Sequence, residues 1–528
     1  MLPLTRRSFV LGASSSLMLA SLPFAQSAYA QLDEKKIPEL RGKIFDLTIG
    51  YQPVNFTGKT KMATTINGSL PGPTLYWQEG DTVTLRVTNH LAEQTSIHWH
   101  GIVVPTEMDG VPGLSFNGIN PGETFEYRFQ VKQSGTYWYH SHSGFQEQTG
   151  IYGAIIIEPN TPDPISYDQD HLVMLSDWSD ETPEHIFKKL KQSSSYYNHQ
   201  NRTAVDLLRD IKTQGLANTW NERSMWNQMR MSDRDISDVT GSTYTFLMNG
   251  CTPSDNWTAL FKKGQRIRLR FINASAMTFF DIQIPGLKMT VVAADGQPID
   301  PVTVDEFRMG VAETYDVIVQ PESDMAYAIF AQSIDRSGFA GGRLTASKLL
   351  TEAHPKLETV PELTMDDMGM MGIEERLDDP GVGLRDREHL GRKVLTYADL
   401  HNLYPTRDQR EPGRELQMHL TGNMERYLWS IDGVTHHDAE PIQLRYGERL
   451  RITLLNDTMM NHPMHLHGLW SELETGDSEC LPRKHTIIVQ PGSKVSYLVT
   501  ADAKGRWAYH CHLMYHMAMG MMREVAVV

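Results

Sequence analysis

Three stretches of the chain alternate apolar and polar residues directly after a glycine. They begin at Gly80, Gly264 and Gly447, and each ends at an asparagine, as in Gly80-Asp-Thr-Val-Thr-Leu-Arg-Val-Thr-Asn89. Alternation with a period of two is typical of a strand that buries one face. The pattern therefore predicts a half-buried strand in each of three related segments.

A second alternating motif follows each of these stretches. It starts at Pro121-Gly122 in the first segment, at Ala312 in the second and at Pro491-Gly492 in the third. Short strands separated by turn residues favour Greek-key β-sandwiches, and a chain of 528 residues suits about three domains. We predict an all-β fold of three sandwich domains.

The predicted domains occupy residues 40–165, 166–330 and 395–528. Residues 181–235 are charged and show helical spacing, which indicates a helical insertion in the middle domain. Residues 331–394 are rich in glycine, methionine and aspartate and are interpreted as a long linker.

The N-terminal residues 1–30 have the composition of an export signal. Arg6-Arg7 precede an apolar stretch, and Ala28-Tyr29-Ala30 offers a small-x-small cleavage site. The paired arginines resemble a twin-arginine signal, whose export machinery carries folded proteins; an ordinary secretory signal with two incidental arginines is the alternative. Both predict a periplasmic protein, and no other apolar run is long enough to span a bilayer.

Charge and cysteine content narrow the possible functions. The net charge is -15 with no basic block, so a nucleic-acid partner is not expected. An acidic surface suits metal cations, although it also simply favours solubility.

Three cysteines exclude a disulfide scaffold, and Cys251 and Cys480 either pair or remain separate thiols. The composition is compatible with a monomer.

Eight histidines stand in four His-x-His pairs, which follow the two alternating motifs at matching offsets in the first and last segments only. The middle segment has Ile282, Ile284, Phe330 and Gln332 at the corresponding positions. Residues i and i+2 of a strand face the same side, so each pair aims two imidazoles in one direction. Imidazole is a good copper ligand, and we predict a cluster of three coppers between the terminal domains. The pairs are His98/His100, His140/His142, His465/His467 and His510/His512.

A different metal site is predicted on the last of these strands. Cys511 stands between two cluster histidines and therefore faces the opposite side of its strand. His462, His516 and Met521 complete the ligand set of a blue-copper electron-transfer site. Other methionines nearby, such as Met517, leave the axial ligand open, since methionine also fills core gaps. An electron leaving the thiolate has only on the order of 10 Å of bonded backbone to cross to reach the cluster.

These runs, among them His98-Trp-His-Gly101 and His510-Cys-His-Leu-Met-Tyr-His516, resemble the four copper motifs of multicopper oxidases. Within that family the chain is similar to the bacterial copper-resistance oxidases of the CopA/PcoA type, with Asp109-Gly-Val-Pro-Gly113 and Gly505-Arg-Trp-Ala-Tyr-His510 as shared features. The resemblance implies cupredoxin-like domains and four coppers that couple one-electron oxidations to reduction of dioxygen to water.

The resemblance also implies a role for each ligand. The type 1 copper falls to His462, Cys511, His516 and Met521, the type 2 copper to His98 and His465, and the type 3 pair to the remaining six: His100, His140, His142, His467, His510 and His512. Asp109 matches an acidic proton-relay position of some relatives, and a turn aspartate before Gly110 is the alternative interpretation. Met517 stands where certain cuprous oxidases have another acid.

The linker suggests a substrate. It contains Met365-Asp-Asp-Met368-Gly-Met370-Met371, and thioether sulfur is a soft ligand that selects Cu(I). A flexible loop with incidental methionines is the alternative. We predict a periplasmic copper-resistance enzyme that oxidises Cu(I), with a laccase-like oxidase of phenols and aromatic amines second. A periplasmic copper-sequestering protein with little turnover is third.

Overall fold

The fold is built mainly of β-strands, which hold 41% of the residues, whereas helices hold 13%. The computed structural model describes residues 36–229, 231–369 and 372–528, so the predicted signal 1–30 lies outside the described residues. Residues 37–528 form one compact unit. The expectation of an all-β, cupredoxin-like fold is confirmed.

The first segment consists of two sheets. In hydrogen-bonded order, one contains Glu39–Arg41, Gly72–Gln78, Tyr152–Glu158, Gly135–His140 and His98–His100. The other contains Thr60–Ile66, Ile44–Asn55, Thr82–Asn89 and Thr124–Gln130. Their apolar faces enclose a core of their own that includes Trp77, Trp99 and Tyr127.

The second segment has the same two-layer organisation. One sheet contains Tyr244–Met248, Gln169–Ser179, Ile267–Asn273, Thr314–Val319, Met289–Ala294 and Gln297–Val304. Its partner sheet contains Trp257–Leu260, Phe339–Thr345, Ala326–Ser333, Phe280–Gln283 and Glu306–Met309.

The third segment repeats the arrangement. One sheet contains Leu428–Ile431, Arg414–Asn423, Arg449–Asn456, Ser493–Thr500, Ser471–Leu473 and Arg483–Lys484, with Glu374–Glu375 added beside Ser493–Thr500. The other sheet contains Ile442–Leu444, Met522–Val527, Gly505–Cys511, His462–Leu466 and Thr486–Val489. A single large apolar core extends through the second and third segments.

The repeated motifs occupy equivalent places in the three segments. The first motif forms Thr82–Asn89, Ile267–Asn273 and Arg449–Asn456, each parallel to the long strand that precedes it. Each of these strands also pairs antiparallel with the strand formed by the second motif. The sequence repeat is therefore a repeat of topology.

The middle copy of the repeated strand departs from the predicted half-burial. Thr82–Asn89 alternates between buried and more exposed positions, whereas Ile267–Asn273 is buried throughout. The cause is the first segment, which covers the outer face: Arg270 donates to Thr136 Oγ1 at 2.9 Å. Ion pairs such as Arg270 with Asp170, at 2.6 Å, compensate the buried charge.

Three helices interrupt the second segment, at Pro183–Gln192, Ala204–Gln214 and Leu216–Met229, all within the range 181–235. The first begins with a proline at its N-terminus, and the second with a capping box in which the Thr203 hydroxyl and the Asp206 carboxylate each bond the other residue's backbone N–H. Shorter helices lie at Gln146–Thr149 and Met514–Ala518. Among the described residues, no helix is long and apolar enough to cross a membrane.

The linker begins later than predicted. Phe339–Thr345 pairs with Ala326–Ser333 inside the middle sheet, so the boundary placed at residue 330 falls within a β-sheet. The following chain contains short 3₁₀ turns at Asp366–Met368, Arg385–Leu390 and Tyr397–Asp399; a further 3₁₀ turn lies at Thr106–Met108 and another at His436–Asp438. Ion pairs, including Arg387 with Glu306 at 3.1 Å, fasten the linker to the sandwiches.

Candidate metal centres

Strand pairing brings the histidine pairs together within each terminal segment. His98 lies opposite His140 in the first segment, and His465 lies opposite His510 in the last. Seven of the eight imidazoles are buried and His142 is half-buried. The two sheets that carry them meet, so that side chains from both ends of the sequence share one interior.

The ring nitrogens form three-histidine groups whose ligand atoms lie within 4.8 Å of one another. Each group combines the first and last segments: His100, His140 and His512; His142, His467 and His510; and His98, His100 and His465. Each of the eight histidines predicted to form the cluster belongs to at least one of these groups. The structure thus gathers side chains that the sequence places hundreds of positions apart.

The hydrogen bonds of His467 and His510 fix which ring nitrogen carries the proton. Nδ1 of His467 donates to the Asp109 carboxylate at 2.8 Å, and Nδ1 of His510 donates to the Cys511 carbonyl at 3.0 Å. Burial and neighbouring imidazoles hold the pKa of His467 well below its usual range, and burial lowers the pKa of His510 to about 3, so both rings are neutral. Their Nε2 atoms, 3.0 Å apart, therefore face each other as bare lone pairs.

The same pattern recurs around the other ligands. Nδ1 of His98 donates to the Asp109 carbonyl at 2.8 Å and Nδ1 of His465 donates to the His485 carbonyl at 2.5 Å. Their Nε2 atoms are buried without a partner, as is Nδ1 of His100, whose Nε2 contacts His485. Buried lone pairs that converge without a donor fit bound cations, and an all-imidazole donor set suits copper.

A second cluster surrounds Cys511. Its Sγ lies 3.6 Å from His462 Nδ1 and 3.7 Å from His516 Nδ1, and the two Nδ1 atoms are 3.2 Å apart. These three side chains are fully buried. Met521 is also fully buried, and its carbonyl accepts the Cys511 N–H at 3.0 Å. A cysteine with two imidazoles, hydrogen-bonded through its backbone to a buried methionine, fits a blue-copper site.

The outer nitrogens of these two histidines are also held. His516 Nε2 donates to Asp238 Oδ2 at 2.7 Å, and His462 Nε2 lies 2.7 Å from the Thr458 hydroxyl. A carboxylate on Nε2 fixes the proton there and leaves Nδ1 as a ligand. Trp429 stacks on the His516 ring, with centroids 3.8 Å apart and planes inclined by 23°.

The two centres adjoin through the backbone of one strand. His510 and His512 belong to two of the histidine groups, whereas Cys511 between them belongs to the cysteine group. Strand alternation sends the thiol to the opposite side, as the sequence predicts. Burial raises the pKa of the free Cys511 thiol, and a bound metal would deprotonate it.

Asp109 contacts two of the cluster ligands. Besides holding His467, it places Oδ1 3.4 Å from His98 Nδ1, and its side chain is 2% exposed. Asp109 also ends the 3₁₀ turn Thr106–Met108, and the next residue, Gly110, has φ 78° where an added Cβ would collide with the Ile97 carbonyl. This place is compatible with both interpretations of Asp109, the turn residue and the relay position.

Sequence reasoning missed several residues around the centres. Glu147 places Oε2 3.0 Å from His140 Nδ1, His485 contacts His100 and His465, and Asp238 holds His516. Only Glu147 had a signal in the sequence, because it closely follows His142. Asp238 comes from the second segment and His485 from a stretch without a histidine repeat, so their roles depend on packing.

The other predicted positions are not all part of these clusters. Met365 and Met368 are half-buried and pack against the large apolar core, while Met370 and Met371 lie outside the described residues. One of the two acids between them is already paired, because the Asp367 carboxylate accepts a hydrogen bond from Arg385 at 3.0 Å. No disulfide bond joins Cys251 and Cys480.

A small cavity adjoins the cysteine cluster. It has a volume of about 10 Å³ and is lined by Asp238, Met277, Met460, Asn461 and Leu513, among others. That is room for about one water molecule. Two methionines and the aspartate that holds His516 therefore line one cavity beside the buried ligands.

Comparison with known proteins agrees with this geometry. Three family models described as multicopper oxidase match residues 48–162, 169–354 and 409–528. Fold and donor sets together define a copper-dependent oxidoreductase. The chain belongs to the multicopper oxidase family, whose members use dioxygen and a reductant.

The relatives include proteins with different printed functions. The chain is 51% identical to Copper resistance protein A of Escherichia coli, over 100% of both chains. It is 29% identical to Laccase-2 of Cryptococcus neoformans var. grubii, over 93% of this chain and 85% of that one. The solved structure of Fet3p, a multicopper oxidase that functions in iron import, matches with a TM-score of 0.69 at 20% identity, over 92% of this chain and 90% of that chain, which shows the fold.

Proposed function

We propose that the protein holds four coppers and oxidises Cu(I) with dioxygen. His462, Cys511, His516 and Met521 would hold a type 1 copper and His98 and His465 a type 2 copper. The type 3 pair would divide between the groups His100/His140/His512 and His142/His467/His510. The convergence of neutral, buried lone pairs in these groups supports the assignment.

Bound copper supplies the one-electron redox chemistry by which the family couples oxidation of a reductant to reduction of dioxygen to water. The chain itself supplies position. Cys511 lies between two cluster ligands, so the backbone joins the two centres over a few bonds. Asp109 orients His98 and His467, and its buried carboxylate is the acid that we assign to the proton relay.

The observation that favours Cu(I) is the enclosure of the type 1 ligands. Cys511, His462 and His516 are fully buried, and the adjoining cavity measures about 10 Å³. An apolar cavity on the order of 150 Å³ holds benzene, so this cavity is too small to hold a phenol ring. A single Cu(I) ion is small, and the thioethers of Met277 and Met460 are ligands that it prefers. Asp238 adds a carboxylate hydrogen-bonded to His516.

Two other functions remain as outcomes of the test. A laccase-like oxidase draws support from the laccase among the relatives. A copper-sequestering protein would need many ligands but no electron path from a cysteine to a cluster. The strand that joins Cys511 to both type 3 groups argues against storage alone.

The deciding experiment measures oxygen uptake with Cu(I), a phenol and a non-phenolic dye at equal concentrations, with copper per chain determined on the same sample. We expect four coppers and faster uptake with Cu(I). Met460→Leu keeps the packing volume and removes one thioether, so it should raise KM for Cu(I) and spare dye oxidation. Faster oxygen uptake with the phenol would favour a laccase-like oxidase. Full copper loading without oxygen uptake would favour a copper-sequestering protein.

We also infer the domain organisation and location. The three two-sheet segments are proposed to be the predicted domains 40–165, 166–330 and 395–528, with the second extended to Thr345. The Arg6-Arg7 motif in residues 1–30 is proposed to direct twin-arginine export of a monomer to the periplasm. Replacing both arginines with lysine should retain the protein in the cytoplasm, as fractionation would show.

A further inference from the structure

A four-residue helix, Gln146–Thr149, lies where the three segments meet, directly after the ligand His142. The side chains of Gln146, Glu147 and Gln148 are all buried, with at most 7% of each residue exposed. Three successive buried polar side chains are costly unless each has partners. Their partners show that each side chain serves a different part of the site.

Gln146 fastens the helix to the first segment. Its Oε1 accepts the hydroxyls of Thr95 at 2.7 Å and Ser141 at 3.0 Å, and its Nε2 donates to the Gln94 carbonyl at 2.9 Å. Ser141 stands between His140 and His142. The Gln146 side chain therefore holds the helix against the backbone that carries these two histidines.

Gln148 fastens the other side of the helix. Its Oε1 accepts the phenol hydroxyls of Tyr244 at 3.0 Å and Tyr515 at 2.7 Å. Tyr244 belongs to the second segment, and Tyr515 precedes the type 1 ligand His516 in the third. The helix is thus anchored to all three segments, with Glu147 at its centre.

Glu147 faces two histidines that come from opposite ends of the chain. Its Oε2 lies 3.0 Å from His140 Nδ1, and its Oε1 lies 3.9 Å from His512 Nδ1. Oε1 and His512 Nδ1 both lack a hydrogen-bond partner, and His140 Nδ1 also lies 3.0 Å from the Ser141 carbonyl oxygen. The inner Nε2 atoms of the same two histidines are 3.3 Å apart, in one ligand group with His100.

We propose that Glu147 is the positioning residue of the His100/His140/His512 copper site. Its carboxylate shares the Nδ1 of His140 with the Ser141 carbonyl and is the acid beside the Nδ1 of His512, so it would direct both Nε2 lone pairs to one copper. Ligating histidines commonly donate their other N–H to a carboxylate, and loss of that partner costs about 10–100-fold in metal affinity. The inference rests on the ligand assignment in the proposed function.

The test compares copper retention by the loaded protein during titration with a competing chelator. Glu147→Ala removes both acceptors, and Glu147→Gln keeps the size and one acceptor oxygen. We expect about 10-fold weaker retention of type 3 copper in the alanine variant, with partial rescue in the glutamine variant. The blue colour of the type 1 site should persist in both, which would show that the fold is intact.

Electron paramagnetic resonance adds a signature that a general loss of stability does not produce. Losing one copper of a coupled pair leaves its partner uncoupled, so the fraction of copper that the spectrum detects should rise. The matched control is Glu93→Gln, which removes an exposed carboxylate 3.3 Å from Gln146 and leaves the ligands untouched. It should behave as wild type.

The outcomes distinguish failure of the Glu147 role from failure of the proposed function. Wild-type protein that takes up four coppers, together with Glu147 variants whose titrations and spectra superimpose on it, would overturn the role of Glu147 alone. If Glu147→Ala does not fold, Glu147→Gln decides by the same measurements. Wild-type protein that never loads the type 3 pair would overturn the proposed function and this inference together.

Discussion

The carboxylate of Asp109 accepts a hydrogen bond from Nδ1 of His467 at 2.8 Å, although 358 positions separate the two residues in the sequence. The backbone carbonyl of the same aspartate accepts a hydrogen bond from Nδ1 of His98 at 2.8 Å. Ligands from the first and last sandwiches are therefore oriented by one buried residue. This relationship explains why the cluster needs both terminal segments to fold against each other.

Replacing Asp109 with alanine should slow dioxygen reduction and spare the type 1 site. His467 loses its outer hydrogen-bond partner, whereas His98 keeps the backbone carbonyl of residue 109 and Cys511 and its histidines keep their partners. We expect kcat to fall by about 10-fold or more, while the blue colour remains. Stopped-flow reoxidation of the reduced protein by oxygen measures the defect directly. Glu107→Gln, an exposed acid on the adjacent turn, is the control, and equal loss in both variants would contradict this role.

Replacing Cys511 with serine should abolish the blue colour, because a hydroxyl does not supply the soft sulfur of a blue-copper site. Absorption spectroscopy of the copper-loaded variant checks this. Cys251→Ser is the matched control, since Cys251 is also a buried cysteine but does not belong to either cluster. A blue Cys511→Ser protein would remove the basis of the type 1 assignment.

The linker methionines can be tested without deleting the segment. Asp367 is buried between them and paired with Arg385, so excision of 365–371 would also damage the fold. The double variant Met365→Leu, Met368→Leu conserves volume and removes both thioethers. If these sulfurs deliver Cu(I), KM for Cu(I) should rise while kcat and dye oxidation stay constant. Unchanged kinetics would make them packing residues only.

Burial of Asp235 predicts a pH-dependent stability. Burial raises its pKa from 3.8 to about 7, with the Asn198 amide as hydrogen-bond partner at 3.0 Å. A carboxyl whose pKa is higher in the folded state contributes its full stabilisation below the unfolded pKa and loses it as pH rises towards 7. The contribution falls by about 1.4 kcal/mol per pH unit over that window.

Asp235→Asn does not titrate, so wild type should lose stability relative to this variant between about pH 4 and pH 7. Denaturant midpoints measured at several pH values for both proteins give the difference. Asp324→Asn, at an exposed position, should show no such trend. Parallel curves for wild type and Asp235→Asn would contradict the buried-acid interpretation.

The alternation of apolar and polar residues predicted many of the strands, but their burial also depends on the segments that pack against them. The alternation after Gly80 correctly indicates a half-buried strand, whereas the equivalent alternation after Gly264 forms a fully buried one. The difference arises because the first sandwich covers that strand. The domain boundary predicted at residue 330 falls inside a β-sheet for a related reason. Phe339–Thr345 joins the sheet by pairing with Ala326–Ser333, which periodicity alone does not show.

The sequence alone determined which side chains can bind metal and which way they point. Alternation along a strand is a local property, so His510, Cys511 and His512 face opposite sides wherever that strand lies. Only the tertiary structure decided which histidines lie within reach of one another, and that Glu147 lies beside the outer nitrogen of His140 and Asp238 bonds that of His516. Those partners come from other strands, loops and domains, and their distances follow from packing of the whole chain around one interior.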